Sequence, residues 1–481
     1  MPNYRSPGVY VEEVSLLPPS IAEVESAVPA FIGYTEKATM VVADDLRNVP
    51  TPINSLSEYV QYFGGPEPEN IANITINVNE LRTGTQTTGF TVGMTFNWGA
   101  MTKRNMYHSI KHFYMNGGGK CYIVSVGAYA TALAKADLET GIDQAGNEDT
   151  PTMLVVPESI HLGAADFDSI NQRLINQAAN MKDRFAILST RTTTVPKVAG
   201  SVVADAATAI TNIPASGSVR RFGAVYYPFL ETSYSYEFNM DTVVLTAHTV
   251  NGAAPPAGED KSGTALGVLK NTASAMYGSI IAEYGKYHVV LPPAPAMAGV
   301  YSAVDRDRGV WKAPANVSLN DVVKPVVSVA KAEHDVLNVN SDTGKSVNAI
   351  LAVPGYGTVV MGGRTLDGND NEWRYINVRR FFSVVEESVK KSTMWAIFEP
   401  NTASTWVKVK AMIENYLYLK WRDGALAGAK PEEAFFVRIG LGSTMNSVDI
   451  LEGRMIVEIG MAVARPAEFI ILKFEQKMQT S

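Results

Sequence analysis

The sequence predicts a mixed α/β (α+β) fold divided into several domains. Three observations predict it. Apolar runs of strand length recur between helical segments, a strand–helix–strand unit spans 153–189, and 481 residues exceed the roughly 100–200 that one domain commonly holds. Such a length supports a large apolar core without disulfides or metals. Cys121 is the single cysteine, so no intrachain bridge forms.

Residues 9–14 (VYVEEV) are rich in β-branched and aromatic types and read as a short strand, set off by Pro7-Gly8 before it and Pro18-Pro19 after it. Residues 15–29 carry no helical or alternating pattern, so this strand is tethered away from the main body and needs a sheet from elsewhere. FIGYT (31–35) reads as a core strand, and 57–63 as a short helix closed by Gly64-Gly65-Pro66. In 66–104, Ile74, Ile76 and Val78 alternate, as do Phe90, Val92, Met94 and Phe96, on either side of a Thr/Gly-rich run at 83–89. That pattern is an inserted β-hairpin. Residues 105–116 are helical and stop at Gly117-Gly118-Gly119, and CYIVSV (121–126) is an apolar strand.

Residues 153–156, a helix capped near Asp166 or Asp168 and running to about Met181, and residues 185–189 form the parallel α/β unit. AVYYPFL (224–230) reads as one further buried strand and 264–284 as one helix, with a polar loop at 251–263 between them. Beyond 316, helices at 319–337 and 402–422 alternate with strands, and FIILKF (469–474) forms a last strand before a polar tail. No internal repeat of fixed period is present.

Composition excludes several functions. With 41 Lys+Arg against 48 Asp+Glu, the formal charge is −7 and no basic block exists, which argues against a nucleic-acid partner. The longest apolar stretches, such as 289–300, are broken by Pro292, Pro293 and Pro295 and fall short of the roughly 20 residues that cross a bilayer. No membrane insertion is expected. The start MPNYRSPG has no basic segment leading into an apolar one, so the expectation is a chain that folds in the cytoplasm. At 19%, charged residues fall below the roughly 25% of ordinary soluble proteins, as suits a chain that buries surface against neighbours.

Catalytic and ligand motifs fail one by one. Gly117-Gly118-Gly119-Lys120 lacks the first glycine of a phosphate loop, since Tyr114 stands there, and lacks its Ser/Thr, since Cys121 follows the lysine. His108 and His112 have the spacing of two metal ligands, but Ser109 replaces the glutamate of a metalloprotease and no third ligand is evident. The stretch 367–372 opens like a calcium loop but carries Glu372 where glycine is required. Cys121 has no neighbouring charge to activate it, no GxSxG elbow occurs, and Glu386-Glu387 beside Lys390-Lys391 has the pattern of a solvated helix face. The expectation is no enzyme, no cofactor and no metal.

The segments that remain resemble a known family. PGVYVEE (7–13), VPAFIG (28–33), FYMNGG (113–118) and CYIV (121–124) are similar to the N-terminal half of contractile tail sheath proteins. These subunits surround the tube of contractile phage tails and related injection systems. AVYYPFL (224–230), DRGVWKAPAN (307–316), GGRTL (362–366), WRYINVRRF (373–381), WAIFEPN (395–401), FFV (435–437) and RPAEFI (465–470) continue the likeness in order. Residues 66–104, 191–223 and 251–263 depart from it, as does Ala349-Ile350-Leu351, where a more polar segment is expected.

The resemblance implies a self-assembling subunit: stacked hexameric rings around an inner tube, baseplate and terminal cap proteins at the ends, and contraction from a metastable extended state. It also implies a division into an N-terminal arm and linker (1–29), an outer α/β domain (30–65 with 105–315), a β-rich insertion (66–104), an inner, tube-facing domain (316–466) and a C-terminal arm (467–481). Val9, Tyr10, Val11 and Val14 in one arm and Phe469, Ile470, Ile471, Leu472 and Phe474 in the other are the expected inter-subunit strands, which add to a sheet in a third subunit. On the 402–422 helix, Trp406, Val409, Ile413 and Leu417 form an apolar stripe. Lys408, Lys410, Lys420 and Arg422 are then the candidate tube-facing groups, with a solvated helix face as the alternative. Rival readings are a rigid capsid-like shell and, suggested by 153–189, an α/β enzyme or ligand-binding protein.

Overall fold

Strands whose alternate side chains are apolar on both faces suit a parallel sheet covered by helices on each side, and the runs at 30–34, 121–126, 153–155 and 185–189 build one. The computed structural model describes residues 20–213, 216–340, 342–469 and 471. In chain order the strands are β1 (Pro29–Thr35), β2 (Thr51–Ile53), β3 (Ile74–Thr83), β4 (Gln86–Phe96), β5 (Cys121–Ala128), β6 (Met153–Val155), β7 (Phe185–Ser189), β8 (Gly223–Tyr227), β9 (Leu230–Ser235), β10 (Ala247–Val250), β11 (His288–Leu291), β12 (Val322–Pro325), β13 (Asn348–Val353), β14 (Gly357–Val360), β15 (Phe435–Ile439) and β16 (Val457–Met461). The α-helices are α1 (Leu56–Phe63), α2 (Met106–Met115), α3 (Lys135–Gly146), α4 (Ala164–Met181), α5 (Ser201–Ile210), α6 (Gly217–Arg220), α7 (Leu266–Thr272), α8 (Ser274–Tyr284), α9 (Ala294–Arg308), α10 (Lys331–Asn338), α11 (Ile376–Ser392), α12 (Ala403–Arg422), α13 (Pro431–Ala434) and α14 (Ser447–Leu451).

Eight strands form the large sheet in the order β14-β13-β8-β7-β6-β1-β5-β2, parallel from β13 to β5 and closed by an antiparallel strand at each edge. Ala30 pairs with Tyr122 and Ile32 with Val124. This register sends Ile32, Val124 and Leu154 into one core with Leu138 and Ile142 of α3 and Phe167, Ile170 and Leu174 of α4. Phe31, Ile123 and Val155 point the other way, onto Ile110 and Phe113 of α2 and Met297 and Tyr301 of α9. Helices α2 and α9 approach so closely that a Cβ on Gly299 would collide with the Phe113 carbonyl oxygen.

Hairpin β3–β4 pairs from Ile74–Phe96 to Thr83–Gln86, so the strands run through the Thr/Gly-rich stretch and turn only at Gly84-Thr85, with Gly84 at φ +62°. The insertion has no core of its own among the described residues. Its apolar face needs cover, and β10, pairing with β3, brings α7 and α8 over it, so Ile76, Val78 and Phe96 share a core with Leu245, Leu266, Leu269 and Ile280.

Four elements differ from the sequence expectation. The 224–230 run breaks at Pro228, whose missing N–H ends the ladder, and divides into β8 of the large sheet and β9 of a three-stranded one. The 264–284 helix is interrupted at Ala273, whose φ of −147° is extended. In place of a helix over 319–337, β12 ends at Pro325 and α10 starts only at Lys331. Helix α4 starts at Ala164 after Gly163, which puts Asp166 in its first turn and Asp168 beyond the cap.

By compactness the described residues divide into 20–24 with 384–464, and 25–383 with 465–469 and 471. The boundary falls inside α11, not at 316, because β13 and β14 complete the large sheet. No helix among the described residues is long and apolar enough to cross a membrane.

One carboxyl group is fully buried in the larger unit. Glu158, after β6, accepts the Tyr34 N–H of β1 at 2.9 Å, and burial pushes its pKa up to about 8 from an ordinary 4.5. The folded chain therefore holds a proton that the unfolded chain releases, and stability falls as pH rises from about 4.5 to about 8. Glu158→Gln, neutral at every pH, is expected to flatten the fall in thermal midpoint between pH 5 and 8; an unaltered slope would refute the assignment.

Candidate assembly surfaces

The residues tested for chemistry are used in packing. His108 stacks on Tyr234 at 6.1 Å and His112 meets the same ring edge-on at 5.9 Å, while burial lowers both imidazoles to about 4. Both rings share the aromatic contact with Tyr234. Cys121 lies in the core with Tyr114 Oη at 3.5 Å, and burial raises its thiol to about 12, far from a reactive thiolate. In the 367–372 loop, Asp367 pairs with Arg220 at 2.7 Å and Asp370 accepts the Glu372 and Trp373 N–H groups at 2.7 and 2.6 Å, which makes it a polar turn. Gly117, at φ +91°, follows the end of α2. No group of three or more His, Cys, Asp or Glu among the described residues is placed to hold a metal.

Residues 384–464 are built differently from the doubly covered sheet. Val409, Met412, Ile413 and Leu417 of α12 are buried, as is Val437 of β15, so one face of the β15–β16 hairpin packs inward. On the other face Phe436, 45% exposed, lies flat over Gly460, and Arg438 stacks on Phe436 at 4.6 Å. The ladder runs from Phe435–Met461 to Ile439–Val457 and has two strands only among the described residues. A sheet this small is marginal by itself and leaves N–H and C=O groups open along its edges. This stretch also carries eleven of the thirty-two exposed large apolar side chains found among the described residues, about twice its share of them, with Phe398 fully exposed at φ +67°.

The segment entering β1 is pinned at two places. Within the unit of 20–24 and 384–464, the Ala22 N–H donates to Ser392 Oγ at 3.2 Å, the Val24 N–H donates to Ser388 Oγ at 3.1 Å, and Glu23 forms an ion pair with Lys420. Within the larger unit, Ser26 Oγ donates to Asp305 at 2.7 Å and Arg380 donates to the Ser26 carbonyl at 2.8 Å. The Arg380 guanidinium binds both Asp305 oxygens, at 2.9 and 2.6 Å, with both side chains only 4% exposed. A 15–29 tether free throughout is thus not observed, since 20–28 makes these contacts.

The predicted site residues are placed unevenly. Val9, Tyr10, Val11, Val14, Ile470, Leu472 and Phe474 lie outside the described residues. Phe469 and Ile471 are 72% and 80% exposed and belong to no strand. The four cations of α12 do not form one face. Lys420, 8% exposed, falls on the buried stripe one turn after Tyr416 and is neutralised by Glu23, so it is withdrawn from the tube-facing set. Lys410 pairs with Glu414 at 3.7 Å on the far side from Lys408. Lys408 and Arg422 are exposed, and fourteen residues at about 100° each place them within about 40° of one another and about 21 Å apart along the axis. Sequence reasoning missed the Ser388/Ser392 contacts, whose partners lie over 360 residues away, and missed β16.

Comparison with known proteins agrees with this arrangement. Residues 368–477 match the family model for the phage tail sheath C-terminal domain. Over 213 residues the chain is 24% identical to the tail sheath protein of Enterobacteria phage T4, a match covering 43% of this chain and 30% of that protein. The chain thus spans less than a third of that relative's length. A chain of the anti-feeding prophage baseplate is 29% identical, with a TM-score of 0.64 over 99% of this chain and 100% of its own. A chain of the PVC extracellular contractile injection system sheath in its contracted state is 28% identical, with a TM-score of 0.61 over 99% of each. In sequence and fold together this chain is similar to contractile tail sheath proteins, over its C-terminal part by the family model and over nearly its whole length by the solved structures.

Proposed function

We propose that this chain is the repeating, non-enzymatic subunit of a contractile sheath. Copies polymerise as stacked hexameric rings around an inner tube, in a particle bounded by a baseplate and a terminal cap, and contract from a metastable extended state to drive the tube through a target membrane. The particle is a phage tail or an injection system, assembled in the bacterial cytoplasm, and the chain itself needs neither nucleic acid nor membrane insertion. The observation that carries the reading is the β15–β16 sheet, which has two strands only among the described residues. The arms, 9–14 from one neighbour and 469–474 from another, extend it by main-chain hydrogen bonds, and a lattice linked this way moves without coming apart. Even ~100 Å² of extra apolar burial per subunit on contraction gives about 2.5 kcal/mol before ordering costs. Multiplied along a sheath, that is enough to move a tube.

Lys408 and Arg422 are the tube-facing groups in this reading, forming weak, releasable attractions to an acidic partner. Negative-stain microscopy of the chain co-expressed with its tube protein, before and after a contraction trigger, is expected to show sheaths of two lengths. Closed shells, or sheaths of one fixed length, would overturn the reading. Lys408→Gln with Arg422→Gln is expected to leave folding intact and to cut tube-templated assembly severalfold at physiological salt; equal assembly would remove these residues from the tube contact.

A further inference from the structure

We propose that residues 20–24 are a releasable strap, docked on a serine pair of α11 and on Lys420 of α12, and that the sheath cannot pass between its two forms while the strap stays docked. The inference rests on the contractile reading above and adds a device to it. An extended chain repeats its same-side N–H groups every two residues, about 6.7 Å, and a helix repeats a face every four residues, about 6 Å. Ser388 and Ser392 exploit that near match: their hydroxyls accept the Val24 and Ala22 N–H groups at 3.1 and 3.2 Å, antiparallel to the helix, so α11 serves as a substitute sheet edge with two rungs. Between the rungs, Glu23 meets Lys420, whose ammonium also lies 5.6 Å from the centre of the Tyr416 ring.

Two anchors of unequal strength hold consecutive stretches of one segment. The 20–24 contacts are shallow: Ala22 and Glu23 are exposed, and Ile21 and Val24 only half-buried. Ser26 is fixed to a buried Arg380–Asp305 pair. Load on the arm therefore breaks the outer anchor first and leaves the inner one in place. Release moves the point where the tether is held from Ala22 to Ser26 and so adds four residues, about 14 Å of extended chain, to the tether between arm and subunit. A subunit keeps its neighbour's sheet through a large displacement because this reserve is paid out.

Bond lengths and the 3.2 Å contact put the Cα atoms of Ala22 and Ser392 no more than about 7 Å apart, near the reach of a disulfide. Cys121 is buried and does not compete. Sheaths of the Ala22→Cys, Ser392→Cys variant are expected to occupy a single form when oxidised and to convert on reduction. Oxidised sheaths that reach both forms as readily as reduced ones would overturn the strap. Independently, hydrogen exchange at the Ala22 and Val24 amides of the unmodified protein is expected to differ at least tenfold between the two forms; equal protection would also overturn it. If reduced sheaths show no second form at all, the contractile reading falls and takes the strap with it, which separates the two failures.

Discussion

A chain lacking residues 1–19, or one lacking 469–481, is expected to fold and stay soluble yet form no sheath at concentrations where the full chain polymerises. The described cores of the large sheet are built from residues 28–376 and the α12–β15 packing from 405–463, and both truncations leave these residues in place. Each truncation instead takes away one strand proposed to complete the β15–β16 sheet. Both open edges must be filled for a subunit to hold two neighbours, so either loss is sufficient. Sedimentation should give a single small species with unchanged circular dichroism. Normal tubes from either truncation, seen by microscopy, would falsify the linked-arm arrangement.

Asp305→Ala is expected to have the largest effect on stability among single changes outside the apolar core. Arg380 loses both of its charge-assisted contacts while its guanidinium stays buried beside the Tyr301 ring, at 4.7 Å. Removing one partner of a buried pair costs about 3–5 kcal/mol, because the remaining charge is left without water or counter-charge. The double replacement Asp305→Leu with Arg380→Met is expected to recover most of that loss. By contrast, Lys120→Ala, which breaks the exposed Lys120–Glu25 pair at 3.1 Å, should change stability by about 1 kcal/mol or less. Urea unfolding of the three variants checks the order, and equal losses in the two single variants would show that burial does not control it.

How much of this was legible in the sequence depends on how local the cause is. The parallel strands were readable because a strand buried on both faces is a continuous apolar run, as at 121–126 and 185–189, and α1 and α2 because glycines follow them. The 224–230 and 319–337 assignments failed at Pro228 and Pro325, where a missing N–H outweighed favourable composition. Lys420 was misassigned through its charge, although the spacing Val409, Ile413, Tyr416, Lys420 places it on the apolar stripe. The strap was not readable, because nothing near Glu23 announces a lysine 397 residues away.

The β3–β4 hairpin has a use outside the cell. Its tip, residues 83–86, is exposed and makes a tight turn around Gly84, while the apolar side chains that fix the hairpin lie farther down its strands. Lengthening a surface loop is thermodynamically mild, about 0.6 kcal/mol for each doubling. A peptide spliced in at Gly84-Thr85 would be carried by every subunit of the polymer, which makes this hairpin a point for displaying antigens or targeting ligands at high copy number along a filament.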